Sequence, residues 1–168
     1  MLATHRSKLF VATAALAFMA GCQGSHSGDA AKAGDEVKAN MAAIVAAFVA
    51  RDAEKAVSWD APDFVGMYHG TENVIGPEGD LKLTKEQVAD PAMQFSVSDE
   101  VVDVAKSGDL AVWRAKYSYT YTDPATKQPK TELGNWVVSW KRGDDGKLKE
   151  ALSVVSDTPA AAAAPPPA

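Results

Sequence analysis

From Ala111 to Tyr121 the chain alternates without a break. Ala111, Trp113, Ala115, Tyr117, Tyr119 and Tyr121 point one way; Val112, Arg114, Lys116, Ser118 and Thr120 point the other. A period of two over this length is a half-buried strand. Each aromatic side chain has roughly 150–250 Å² to bury, so this face has to be covered by another layer. The neighbouring segments repeat the pattern. Trp136, Val138 and Trp140 alternate with Asn135, Val137, Ser139 and Lys141. Asp144-Asp145-Gly146 is a hairpin turn signal, after which Leu148, Glu150, Leu152 and Val154 are expected on one face of a last strand. Upstream, Met93, Phe95 and Val97 alternate with Gln94, Ser96 and Ser98. Val101–Ala105 continues that strand after a bulge expected near Asp99-Glu100, and Ser107-Gly108-Asp109 supplies the next turn. The second half of the chain therefore reads as a four-strand antiparallel meander.

The first half supplies the cover. Val37, Met41, Ile44, Val45 and Phe48 form one stripe of an amphipathic helix from Asp35 to about Arg51. Asp52 is placed to cap a second short helix ending near Trp59. Pro62 sets a turn and Phe64–Tyr68 is a short strand. Gly70–Gly79 reads as turn-rich, and Thr84-Lys85-Glu86-Gln87 as a capping box opening a short helix that ends at Pro91. Helices followed by an antiparallel sheet give an α+β fold: a curved sheet packed on N-terminal helices.

The ends of the chain carry different information. Arg6 and Lys8 precede the apolar run Leu9–Ala20, and small residues lead to Cys22. This is the pattern of a secretory signal peptide over residues 1–21, with an apolar run too short to span a bilayer. Met19-Ala20-Gly21-Cys22 resembles the bacterial lipobox, with Met in place of the usual Leu. The resemblance implies that Cys22 is acylated, palmitate among its chains, and becomes the mature N-terminus. Cys22 is the chain's single cysteine, so an internal disulfide is excluded. Gln23 at the next position implies the outer membrane, facing the periplasm, in a diderm host. Cleavage removes two positive charges, taking the net charge of −5 to −7. An acidic chain without a Lys/Arg cluster argues against nucleic acid as a partner. Residues 22–34 read as a flexible tether, 35–157 as one domain, and Pro159–Ala168, within a tail of residues 158–168, as disordered Ala/Pro sequence.

Four segments of the domain resemble the nuclear-transport-factor-2-like superfamily in its SnoaL-like and ketosteroid-isomerase-like branch: Ile44–Trp59, Ala61–Gly70, Ser107–Tyr121 and Gly134–Lys149. The resemblance implies a cone-shaped cystatin-like roll, open at one end as a pocket. It also implies isomerase or dehydratase chemistry, non-catalytic binding, or a homodimeric scaffold as the possible uses of that pocket. The aromatic residues available to line it are Trp59, Tyr68, Trp113, Tyr117, Tyr119 and Trp136.

Proton transfer beside a carbonyl needs a carboxylate or His in a dry pocket and a donor for the oxyanion. Asp63 lies near where the isomerase branch places its base, but could equally cap the turn after Pro62. His69 is the one histidine of the domain, beside Gly70 in a loop. Glu150 shares a predicted inner face with Leu148 and Leu152; it is either a buried carboxyl or one turned to solvent by a bulge. One histidine and no ligand cluster predict no metal site, and the absence of a Gly-rich phosphate loop predicts no nucleotide cofactor. The reading favoured is a membrane-anchored envelope lipoprotein that binds a small apolar ligand or a protein partner without catalysis.

Overall fold

The computed structural model describes residues 26–158. The signal peptide, Cys22 and the Pro159–Ala168 tail lie outside the described residues. Helix α1 spans His26–Val49 and α2 spans Ala53–Ala56. Strand β1 (Asp60–Tyr68), β2 (Val74–Ile75) and helix α3 (Gly76–Ala89) follow. The meander is β3 (Gln94–Val104), β4 (Leu110–Thr122), β5 (Pro129–Arg142) and β6 (Leu148–Asp157). One six-stranded sheet has the order β2-β1-β6-β5-β4-β3. All neighbours are antiparallel except β1 and β6, which run parallel. The α+β class and the curved, unclosed sheet on an N-terminal helix agree with the expectation.

The inner face of β4 is covered by α1 at one end only. Ala33, Val37, Met41 and Ile44 of α1 pack on Ala111, Trp113, Ala115, Val138, Trp140 and Leu148. Trp113 and Trp140 have no exposed surface, and at about 25 cal/mol per Å² such burial makes them main contributors to stability. The bulge expected near Asp99 lies between Ser98 and Val101, with Asp99 at φ 55°. Its Glu100 accepts the Trp113 indole N–H at 3.0 Å, so the irregularity supplies a partner for a buried donor.

Several elements differ from the sequence reading. Helix α1 begins inside the stretch read as a flexible tether. Ala33 is fully buried and Gly34 lies close to Val104, so packing on β3 orders residues that composition alone assigns to a linker. Asp52 caps α2, accepting from the Lys55 amide at 3.1 Å, but the helix stops at Ala56 because Asp60 already begins β1. Pro62 falls within β1, at its irregular register with β6. Helix α3 starts at Gly76 (φ 71°) with Pro77 in its first turn. Thr84 is therefore buried mid-helix, not a cap.

The last strand also departs from strict alternation. Its register with β5 shifts between Ser139 and Trp140, pairing Ser139 with Leu152 and Trp140 with Glu150. The extra residue, Ala151, reverses the phase. Leu152 and Val154, expected beside Glu150, lie on the other face, and Ser153 and Val155 take the inner one.

Gly134 sits opposite Tyr117 in the β4–β5 ladder. A Cβ there would lie 2.2 Å from the Ser156 carbonyl oxygen and 2.5 Å from the Tyr117 ring. Gly134→Ala is expected to lower stability by about 3 kcal/mol, at the upper end for overpacking, measured by urea unfolding of the full chain. A loss under about 0.5 kcal/mol would mean that the Tyr117 ring moves freely off Gly134.

Candidate functional site

Beyond Ile44 the helix reaches the sheet through Phe48, and it leaves a space beside Tyr117, Tyr119 and Tyr121. A cavity of about 610 Å³ lies there, between α1, α3 and the inner sheet face. Its wall is aromatic: Phe48 meets Phe95 edge-on at 5.2 Å and Tyr119 at 6.3 Å. Phe95 meets Trp136 at 5.8 Å, and Tyr119 stacks on Tyr121 at 5.4 Å. Such edge-on and offset pairs are the preferred aromatic geometries.

Two contacts hold α3 over this wall. The Arg51 guanidinium donates to the carbonyl of Val88 and, at 2.7 Å, to that of Asp90, where the helix end carries partial negative charge. The Asp90 carboxylate accepts from the Thr122 amide and, at 2.7 Å, from its hydroxyl. The Thr122 amide and hydroxyl hold the Asp90 carboxyl below the usual range.

The floor is acidic. Asp80 projects from the buried face of α3, which carries Asp80, Thr84 and Val88. Tyr68, at the end of β1, donates its hydroxyl to Asp80 at 3.1 Å. Its ring folds back over Gly66, where a Cβ would come within 2.8 Å of it; glycine at 66 allows this pose. Glu150 enters from β6 and is 5% exposed. Ser153, two positions after the bulge residue, accepts the Trp136 indole N–H at 2.8 Å. Behind them Asp60, paired with Glu150 across the parallel seam, is 7% exposed, and its Oδ2 has no hydrogen-bond partner.

Three carboxyls in so little water resist ionisation. Burial, then the nearby Asp60 and Asp80 carboxyls, push Glu150 well above its ordinary range. Burial and Asp80 push Asp60 up to about 8. Burial also raises Asp80, against the Tyr68 hydroxyl hydrogen bond. Tyr68 is raised by burial and then by Asp80 and Glu150. Asp60 thus keeps its proton at neutral pH, and Glu150 and Asp80 hold theirs to higher pH than free carboxyls do.

A second polar group lines the same cavity. His69 Nε2 lies 3.0 Å from Glu132 Oε2, and the Tyr117 hydroxyl donates to the other oxygen of Glu132. Of the residues singled out from sequence, His69, Glu150, Tyr68, Tyr117, Tyr119 and Trp136 line the cavity. Three do not. Asp63 is exposed on β1, with its side chain away from the cavity, because the inner face of that strand is set by Phe64, Gly66 and Tyr68. Trp113 is wholly within the core under α1. Trp59 packs at the edge of that core, beside a separate cavity of about 190 Å³. Asp60, Asp80 and Glu132 are absent from the sequence reading. Asp80 was detectable in principle: it recurs with Thr84 and Val88 at a spacing of four, but a polar stripe reads as a solvated face. Among the described residues no three His, Cys, Asp or Glu side chains are placed to hold a metal ion.

The acids set the pH response. Unfolded, Asp60 and Asp80 titrate near 3.8 and Glu150 near 4.5; folded, all three hold their protons to higher pH. Their contribution to stability is fully present below about pH 4 and is lost as pH rises, that of Asp60 through about 8 and those of Asp80 and Glu150 through their own raised values. The half-buried Asp90 and Asp123, whose affinities are lowered, act in the opposite sense and only under more acidic conditions. Asp60→Asn is expected to flatten this decline and to add about 1–3 kcal/mol at pH 9, the cost of an uncompensated buried group. Urea midpoints at pH 5, 7 and 9 measure it. A wild-type profile that rises from pH 5 to 9 would show that the three carboxyls are already charged in the fold.

No family model matches the chain, and no curated protein matches it. Solved structures do. A nuclear-transport-factor-2-like protein with a cystatin-like fold from Novosphingobium aromaticivorans superposes with TM-score 0.63 at 15% identity, over 79% of this chain and 86% of that one. A ketosteroid isomerase-like protein from Erwinia carotovora gives 0.60 at 18% identity, over 74% and 95%. A nuclear-transport-factor-2-like protein of unknown function from Pseudomonas putida gives 0.63 at 18%, over 75% and 87%. At these identities the likeness is one of fold: the chain has the nuclear-transport-factor-2-like, cystatin-like architecture.

Proposed function

We propose that this chain is an envelope lipoprotein whose cone cavity binds a small, largely apolar molecule by one polar end. The observation that carries the reading is the division of the cavity. Its wall is aromatic and its floor is a closed set of Tyr68, Asp80, Glu150 and Ser153. An apolar enclosure with a few convergent polar groups is the usual form of a small-molecule site. The volume of about 610 Å³ lies within the range of such sites. The Met1–Cys22 leader supports an N-terminal lipid anchor in the outer membrane, with the cavity facing the periplasm.

A second reading, an isomerase or dehydratase, is favoured by one specific observation. The His69–Glu132–Tyr117 chain and the Glu150–Asp80–Tyr68 group open on one cavity. A base oriented by a carboxylate opposite a proton donor is what proton transfer requires.

Native mass spectrometry of the full chain, released gently from its own membranes, tests the binding reading. A retained small molecule is expected, and its acylated N-terminus should appear as added mass on Cys22. A clean apo species would argue against a binding site. Incubating the retained molecule with the protein in deuterated water separates the two readings. Deuterium incorporation, or loss of water from the molecule, that falls at least tenfold in His69→Gln would make the protein an enzyme.

A further inference from the structure

Building on the proposed binding cavity, we infer that its occupant is an organic cation, an ammonium group carried on an apolar body. The cavity lining contains five carboxyl side chains, Asp80, Glu86, Asp90, Glu132 and Glu150, and no Lys or Arg. The nearest basic chain on the seam, Lys149, is turned away and donates to the Ser58 carbonyl at 2.9 Å. Glu150 is 95% shielded (5% exposed) and lines the cavity. Among the described residues no ion pair ends on its carboxyl group, whose side-chain hydrogen-bond partner is the neutral Ser153 hydroxyl. Buried carboxyls are expected to be paired; here the missing partner is a positive charge, and the cavity is the side from which one can enter.

The walls complete the selection. Phe48, Phe95, Tyr117, Tyr119 and Trp136 surround the space with π faces, which attract ammonium groups. The absence of a chelating set among the described residues disfavours an inorganic ion. An anion would meet carboxyls on every side. A neutral molecule needs one or two donors and leaves the excess of acids unexplained.

The groups that face Glu150 decide how binding depends on pH. They are Asp60 and Tyr68 from β1 and Asp80 from α3, with Tyr117 and Tyr119 of β4 and Glu132 of β5 farther up the wall and His69 at the rim. Helix α1 contributes Ile44, Val45 and Phe48, none of them titratable. Glu150 and Asp80 hold their protons above the ordinary range, so a cation has to displace a proton. One proton released per cation bound makes affinity rise about tenfold per pH unit until the carboxyl is ionised in the free protein.

The test compares two probes of equal shape on the full chain: benzyltrimethylammonium and its uncharged carbon isostere, neopentylbenzene. Calorimetry or tryptophan fluorescence reads both from pH 6 to 9. The expected result is a cation at least tenfold tighter than the isostere at pH 8, strengthening with pH, while the isostere does not change. In Glu150→Gln the cation should fall to the isostere's affinity; Asp80→Asn serves if that variant does not fold. The isostere binding as well as the cation, or better, would overturn the cation assignment and leave the binding cavity standing. Neither probe binding, together with a clean apo mass spectrum, would overturn the cavity reading itself. A cation preference that does not change with pH and survives Glu150→Gln would place the cation elsewhere on this acidic chain and overturn the inference.

Discussion

One helix cannot cover the whole inner face of this sheet. That single shortfall organises the molecule. Along β4 the same alternating face begins as core and ends as cavity wall. Ala111, Trp113 and Ala115 lie beneath α1, whereas Tyr117, Tyr119 and Tyr121 line the cavity. Where the helix covers, the residues opposite it on β5 and β6 are Val138, Trp140 and Leu148. Where it does not, hydroxyl and carboxyl groups appear among the rings. The change of chemistry follows the edge of the helix, not a change of strand.

The floor of the cavity depends on the one parallel pairing in the sheet. An extra residue at Ala151 lets Glu150 remain inward while Ser153 and Val155 come inward after it. The same seam sets Asp60 beside Glu150. Neither acid could lie so close to the other if both were charged. Holding protons spares the seam that repulsion, and the Tyr68 hydroxyl reaching Asp80 lies beside it. A bulge at a site-lining strand commonly redirects a side chain, and here it brings two, Ser153 and Val155, to the inner face.

The legible parts of the fold were those with a period. The stripe on α1, the alternation on β4 and β5 and the Asp-Asp-Gly turn are all local patterns that hydrophobic burial enforces. Two kinds of feature were not legible. The parallel β1–β6 pairing is a contact between ends of the chain, and no local pattern in Asp60–Tyr68 encodes it. Helix α3 was reduced to a short segment because its buried positions, Asp80 and Thr84, are polar. Burial of polar residues breaks the rule by which helices are read, and does so where the site is. Glu150 was visible for the opposite reason: it broke an apolar pattern that was otherwise clear. Trp113 and Trp59, by contrast, fit the pattern of pocket aromatics but lie under α1 or beside it. Periodicity identifies the face and says nothing of where its cover ends.

These placements set stability against function. Asp60, Asp80 and Glu150 could be replaced in principle by apolar residues of similar volume, which in buried ionic clusters is often neutral or stabilising. They lie instead at the inner end of a cavity, where their protonation and the cavity's occupancy are linked. Whatever binds the folded chain alone stabilises it. An occupant carrying positive charge would also remove the reason for the carboxyls to hold protons, making the fold tolerant of higher pH when filled than when empty. The empty cone and the filled one would then differ in pH response without differing in backbone. That follows from the acids of the floor, because the wall beside them is aromatic.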